Sequence, residues 1–403
     1  PVNPRSLQGT FTKEVKNRIP RNNFENCLHN AAEQFIVKKG KKVDVVAGFP
    51  WFGQWGRDTF ISLPGLTLVR NDEDSFRMAI DSMLKDLKGS LFPNVRDANG
   101  SNYQSVDTSL WFFWAMQQYA LFLNYPAKVW KKYGAKMKAI LNGFKKGTDF
   151  GIKMQEDGLL HAGQKGLALT WMDAIAGGKP VTPRGGLAVE VNALWYNAIM
   201  FSIEAAKAAG DNTFYSKWES IGKGIPEAFV KTFWLDEKGY LADFVQSGIQ
   251  DIDVRPNQII AASLPYSAID DEMKLAVLRI VESELLTSKG LRTLSPKNSK
   301  YKGSYSGDQH QRDAAYHQGT VWPWLLGHYA EAYLKIHGKS GISTIKKLYD
   351  SFESEMTEAG IGTISELYDG DPPHTPGGSI SQAWSVAELL RIKYLLEKYE
   401  QES

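Results

Sequence analysis

Cysteine is almost absent from this chain: Cys27 stands alone among 403 residues. No internal disulfide can form, which excludes a disulfide-stapled scaffold and fits a reducing, cytoplasmic setting. Long hydrophobic runs are missing as well. No apolar stretch approaches the ~20 residues a membrane helix needs, and no signal peptide opens the sequence, so no membrane partner is expected. Charge of one sign is also scarce. With 47 basic against 45 acidic residues, a net charge of +2 and no basic block, the chain lacks the clustered positive face of a nucleic-acid binder. His and Cys show no ligand spacing, so neither a metal nor another cofactor is expected. Low-complexity segments and strict repeats are absent. The chain begins at Pro1 without a methionine, as expected of a processed form or a piece of a longer protein.

Apolar and aromatic residues, in contrast, are plentiful. An apolar share of 43% supports a large core, and closed barrels often reach this length as one unit. There are 12 Trp, 17 Tyr and 19 Phe. Several Trp sit beside Gly, Pro, Asp and Arg in loop-like segments instead of on apolar faces. Sugar rings offer flat C–H faces that stack on aromatic rings, and hydroxyls that need charged or amide partners. Loop Trp mixed with Asp, Asn, Gln and Arg meets both needs.

About twelve helical segments are legible, beginning near residues 22, 57, 72, 107, 126, 186, 211, 256, 270, 320, 340 and 379. They alternate in kind. The fifth carries Val129, Tyr133, Met137, Leu141 and Phe144 on one stripe with lysines between, the pattern of a helix with one wet face. The fourth and sixth are apolar nearly all round, the pattern of helices buried on every side. The connections alternate too. Short turns at Asn71, Asn124-Tyr125, Gly210-Asp211 and Gly338-Lys339 make antiparallel neighbours. Long loops cover about 88–106, 149–185, 234–255, 287–319 and 359–378, and loops of such length are usually functional. The expected fold is therefore all-α: an (α/α)6 toroid barrel of six inner and six outer helices, with every long loop at one mouth. Only 42–47 and short pieces of the long loops are expected to be extended. Residues 1–21 read as an N-terminal lead or linker and 22–403 as one catalytic domain.

Polar-aromatic clusters precede the buried helices: Gly48 to Thr59, Val106-Asp107-Thr108, Thr170-Trp171-Met172-Asp173, Arg255-Pro256-Asn257-Gln258, Tyr316 to Trp324, and Gly362 to Gly370 leading to Gln382-Ala383-Trp384. A glycosidase needs two carboxyl groups on opposite sides of the scissile bond, one of them protonated. Asp173 lies behind Trp171 and Met172, an apolar wall of the kind that raises a carboxyl pKa. It precedes the third inner helix and Glu366 precedes the sixth, and these are diametrically opposite. Local sequence leaves other readings open. Asp173 and Glu366 can be a turn residue and a loop charge, Asp58 an N-cap with Arg57 as its partner, Asp107 a helix start, and Glu190 and His317 buried structural groups.

Taken together and in this order, the clusters resemble those of the glucosidase domain of glycogen debranching enzymes, the amylo-α-1,6-glucosidases. The matching stretches are Phe49-Pro50-Trp51-Phe52 with Trp55-Gly56-Arg57-Asp58-Thr59, then Thr170 to Asp173, Arg255 to Gln258, Tyr316 to Trp324, Ile364-Ser365-Glu366-Leu367, and Gln382-Ala383-Trp384-Ser385. The glucoamylase barrels are similar at greater distance. The resemblance implies hydrolysis of α-1,6-linked glucose from glycogen or limit dextrin with inversion, Asp173 being the general acid and Glu366 the general base. It implies that Arg57 and Asp58 grip the terminal glucose and that Trp51, Trp171, Trp322 and Trp384 wall the pocket. Asp107, Asn257, Gln258, His317 and Gln318 are further candidates for hydroxyl contacts. The transferase part that precedes this domain in full debranching enzymes has no counterpart here, which speaks against bifunctional debranching by this chain. The partner implied is a glucan, and nothing speaks to oligomeric state. The rival readings are an α-1,4-exo-glucosidase, a phosphorylase on the same barrel, which would lack the base Glu366, and a non-catalytic glucan-binding protein, which would lack a carboxylate.

Overall fold

The computed structural model describes residues 3–40, 42–97 and 100–401. Residues 1 and 2 of the N-terminal lead, 98 and 99 of the 88–106 loop, and 402 and 403 at the end of the catalytic domain lie outside them, as does residue 41. The helices buried over most of their length are α3 (Gly56–Leu66), α5 (Asp107–Leu123), α7 (Val189–Ala208), α9 (Gln258–Ser263), α12 (Leu325–His337) and α14 (Ala383–Gln401). Each packs on the next, and α14 closes on α3, so the six form an inner ring. That placement explains their composition, since a helix touched on both flanks and from outside has no face left for water.

The amphipathic helices lie outside: α2 (Phe24–Phe35), α4 (Glu73–Met83), α6 (Pro126–Lys146), α8 (Asn212–Phe233), α10 (Asp271–Glu284) and α13 (Ile342–Asp350). α6 lies against α5 and α7, α10 against α9 and α12, and α2 and α13 against α14. The short turns owe their tightness to residues in the left-handed region, namely Asn71, Asn124, Gly210 and Gly338. Asp72, Asp211 and Asp270 then cap α4, α8 and α10 by accepting the backbone N–H of Ser75, Phe214 and Met273. The chain is thus an all-α toroid barrel of six inner and six outer helices.

Two further helices were not legible. α1 (Pro4–Asn17) occupies the N-terminal lead, with Leu7, Phe11 and Val15 exposed. α11 (Gln309–Ala315) sits within the 287–319 loop and is closed by a capping box between Asp308 and Gln311. The mouth loops also carry more strand than expected. Strand pairs join Gly48–Phe49 to Ser381–Gln382, Gln54–Trp55 to Val95–Asp97, Leu187–Ala188 to Phe244–Gln246, and Val321–Trp322 to Leu367–Tyr368. Inner helices expected from 186, 320 and 379 therefore begin at Val189, Leu325 and Ala383. Their first residues are spent on ladders that tie neighbouring loops together. Among the described residues no helix is long and apolar enough to cross a membrane.

Candidate active site

The strand pair at Gln54–Trp55 delivers the chain into α3 at Gly56, where a side chain cannot fit: a Cβ would stand 2.1 Å from the carbonyl oxygen of Pro93. Arg57 and Asp58 follow in the first turn, both buried. Each nitrogen of the Arg57 guanidinium has a protein partner. Nε donates to both carboxylate oxygens of Asp107, at 2.9 and 3.0 Å, and Nη1 to Oδ2 of Asp173 at 2.9 Å. Nη2 donates to Oγ of Ser105 at 3.3 Å. Asp107 has no exposed surface, whereas the Asp173 side chain keeps 27% of its own. Asp58 accepts a bond from Nε2 of Gln382 at 3.3 Å, on the strand that enters α14.

One cation therefore serves three carboxyl groups, Asp58, Asp107 and Asp173. They cannot all ionise cheaply in a buried site, so a proton is retained toward neutral pH. Burial pushes Asp58 up to about 7 against the pull of Arg57, with the negative charge of Asp173 adding to the rise. Burial likewise raises Asp173; Arg57 opposes, and Asp107 reinforces the rise. A carboxyl group kept protonated beside a half-open surface is what proton donation to a leaving oxygen requires.

Glu366 stands apart from this cluster. Its Oε1 accepts the hydroxyl of Tyr316 and its Oε2 accepts the backbone N–H of Ser379 at 2.7 Å. Burial raises it to about 7 although both bonds favour the carboxylate, and Asp58 adds to the rise. Tyr316 feels the charges of both Glu366 and Asp173, and Asp58 is coupled to both. Among the described residues, no hydrogen bond joins Asp173 to Glu366. A cavity of 590 Å³ opens from Glu366 and Tyr316 outward to Trp51. A larger groove, 1020 Å³, runs outside the barrel beside the end of α8; it holds carboxylates but no Trp, Tyr or Phe to stack a sugar.

Beneath the carboxyl groups lies an aromatic layer. Tyr316 meets Trp322 edge-on at 5.0 Å, and Trp322 meets Trp171 and Trp384 at 5.6 Å each. His317 stacks on Trp322 at 5.4 Å. Burial, and then the charge of Arg255, lowers its pKa well below the usual histidine range and keeps the ring neutral. Trp171, Trp322 and Trp384 are nearly buried, whereas Trp51 stands at the rim with 63% of its surface exposed.

The remaining sequence candidates lie behind this layer, bonded to protein. Nε1 of Trp171 donates to Oδ1 of Asn257 at 2.6 Å, and Nδ2 of Asn257 donates to Oδ1 of Asp243 at 2.7 Å. Gln258 accepts the N–H of Leu241 and donates to the carbonyl of Arg255. Arg255 in turn holds the carbonyl of His317 and the Oε1 of Gln318, both at 2.8 Å. Asp243 also binds Arg184, which donates to Glu190 and to Thr170. These groups orient the wall and the segments bearing Asp173 and Tyr316.

Sequence reasoning passed over Tyr316, Gln382, Asp243 and Arg184 as site residues. Tyr316 had a signal, its place beside His317 in a polar-aromatic cluster, but nothing local aims its hydroxyl at Glu366, 50 positions away. Among the described residues, no group of three or more His, Cys, Asp or Glu side chains is placed to hold a metal ion.

Residues 30–391 match the family model described as amylo-α-1,6-glucosidase. The chain is 25% identical to the glycogen debranching enzyme of Saccharomyces cerevisiae over 480 aligned residues, covering 89% of this chain and 30% of the yeast protein. It is also 30% identical over 117 residues to the periplasmic trehalase of Escherichia coli, covering 28% of this chain and 20% of the trehalase. The chain thus spans well under two thirds of either relative. With a family model matched across most of its length and a toroid barrel of six inner and six outer helices, the chain belongs to the amylo-α-1,6-glucosidase family of glycoside hydrolases.

Proposed function

We propose that this protein removes a terminal α-1,6-linked glucose from a branched glucan by hydrolysis with inversion. The reading is supported by two carboxyl groups without a mutual hydrogen bond, Asp173 in a cluster of excess negative charge on Arg57 and Glu366 held by Tyr316 and Ser379. In this reading Glu366 removes a proton from water. The water oxygen attacks the anomeric carbon from the face opposite the leaving group. As the glycosidic bond breaks, Asp173 gives its proton to the departing oxygen. Asp58, whose one side-chain partner from protein is an amide, is free to accept sugar hydroxyls. Arg57 contributes by holding Asp173. Trp171, Trp322 and Trp384 form the floor, and Asn257, Gln258, His317 and Gln318 support it from behind. The catalytic domain is taken as 22–403, with 1–21 as its lead.

Proton NMR of the first product decides the stereochemistry. A β-anomer released from an α-glucoside is expected, and an α-anomer would remove Glu366 from the role of base. Rates on a branched limit dextrin, isomaltose, maltose and trehalose decide the linkage. The local similarity to trehalases makes trehalose the informative competitor, and preference for it would replace the debranching reading.

A further inference from the structure

No described side chain of α1 is buried against its own barrel: residues 3–16 are all exposed. A helix of 14 residues that contains Gly9, Thr10 and Thr12 is marginal in water by itself. Leu7, Phe11 and Val15 stand four positions apart and make one apolar stripe. Such a helix is stabilised when the stripe is laid on another surface. The segment is also basic. Over residues 3–18, Arg5, Lys13, Lys16 and Arg18 stand against Glu14 alone.

A complementary surface lies on the outer side of the barrel. The start of α2, the end of α13 and the last turns of α14 enclose a crevice of 280 Å³, room for a large side chain. Its apolar part is Phe24, Leu396 and the ring of Tyr349, which meets Phe24 at 4.9 Å. Five carboxylates and two lysines surround that floor, an excess of negative charge equal and opposite to the excess on α1. Tyr349 is buried, and among the described residues its hydroxyl has no hydrogen-bond partner. Burial, and then the charges of Glu25 and Asp350, raise its pKa, so the hydroxyl stays a donor. A buried donor without an acceptor is costly, and here it sits where a second surface can supply one.

The chain's own α1 does not fill this crevice. The carbonyl of Ile19 accepts from Nδ2 of Asn30 at 2.9 Å, and Arg21 lies against Gly362. Asn30 stands two turns into α2, about 10 Å along the helix from the crevice end. α1 lies beyond this pin, so the crevice is reached by α1 of another molecule. We propose that the protein forms a homodimer in which each copy lays Leu7, Phe11 and Val15 of α1 over the Phe24–Tyr349 crevice of the other. The exchange is reciprocal, so a single two-fold axis closes it and both stripes are covered. The long stems of Lys and Arg let the cations of α1 reach around the helix to the carboxylates at the rim.

Sedimentation equilibrium tests this on the 403-residue chain, on Phe11→Asp, on the crevice variant Glu353→Lys with Glu397→Lys, and on an equal mixture of the two variants. None of the three side chains belongs to the core, so the barrel is left intact. The wild type is expected at about twice the 45.1 kDa of one chain. Phe11→Asp should raise the dimer dissociation constant roughly a hundredfold, because two rings leave the interface. The crevice variant should weaken the dimer by about tenfold or more, because like charges then meet. The mixture should dimerise better than either variant alone. One contact of each mixed pair is then wholly native, and the other sets the new carboxylate against the new lysines. A monomeric wild type would overturn the proposal. So would a crevice variant that dimerises as the wild type does, since α1 would then be seated elsewhere, or a mixture no better than its components.

Discussion

Arg57 places Nη1 2.9 Å from Oδ2 of Asp173 while its Nε holds both oxygens of Asp107. A lone guanidinium beside a carboxyl group would simply lower its pKa. Here that charge is largely answered by Asp107, which reaches Arg57 through two hydrogen bonds, and Asp58 lies near as a third carboxyl group. Asp173 can then keep its proton despite the ion pair, because burial and the excess negative charge outweigh the cation. The arrangement fixes the orientation of the Asp173 carboxyl group while its pKa stays raised.

Asp107→Asn should move the alkaline limb of the kcat/KM profile to lower pH. Removing one negative charge leaves Arg57 to act on Asp173 alone, which lowers the pKa of the acid, and the rate falls when the acid loses its proton. The pH profile on isomaltose measures this, with thermal unfolding as a check on folding. An alkaline limb that stays in place would separate Asp107 from the tuning of Asp173.

Tyr316→Phe should move the acidic limb the other way. The phenol hydrogen-bonds to the ionised form of Glu366 and opposes the rise caused by burial. Without it Glu366 holds its proton to higher pH, so activity should appear later as pH rises. Turnover at the optimum should fall about 10- to 100-fold, as the base loses the bond that aims it. An unmoved acidic limb would assign that limb to another group.

Gly378→Ala should abolish turnover with little loss of fold. At this position φ is +68°, and a Cβ would stand 2.2 Å from Oε2 of Glu366. Left-handed backbone disfavours alanine by about 1 kcal/mol, a cost the domain can bear. The displaced carboxylate is the larger consequence. Full activity in this variant would show that the position of Glu366 is not critical.

Asp58→Asn should stabilise the protein at pH 8 and not at pH 4. Burial raises the Asp58 pKa from 3.8 to about 7 in the folded state. Between those values the folded chain holds a proton that the unfolded chain has released, so stability falls as pH rises through this window. Above it the cost is fully present, and below it absent. An asparagine can still accept from Gln382 and does not ionise. The variant should gain on the order of a few kcal/mol in denaturant unfolding at pH 8. Equal stability of the two chains at both pH values would mean that Asp58 is not held uncharged at the cost of the fold.

The sequence by itself determined the barrel. Stripes of apolar residues with wet faces, helices apolar all round, and Asn or Gly at each tight turn are local features, and together they dictate six antiparallel pairs with the long loops at one end. Counting helices also puts Asp173 before the third inner helix and Glu366 before the sixth. Only the tertiary structure decided which loop residues become ladder strands, because pairing joins segments as distant as Gly48–Phe49 and Ser381–Gln382. It also decided what each polar side chain binds. Arg57 meets Asp107 and Asp173 across 50 and 116 positions, Tyr316 meets Glu366 across 50, and Asn257 turns to Trp171 across 86. Periodicity is written in neighbours three and four residues apart. A buried hydrogen bond is chosen among all groups the folded loops bring within about 3 Å, and that choice exists only once the ring has closed.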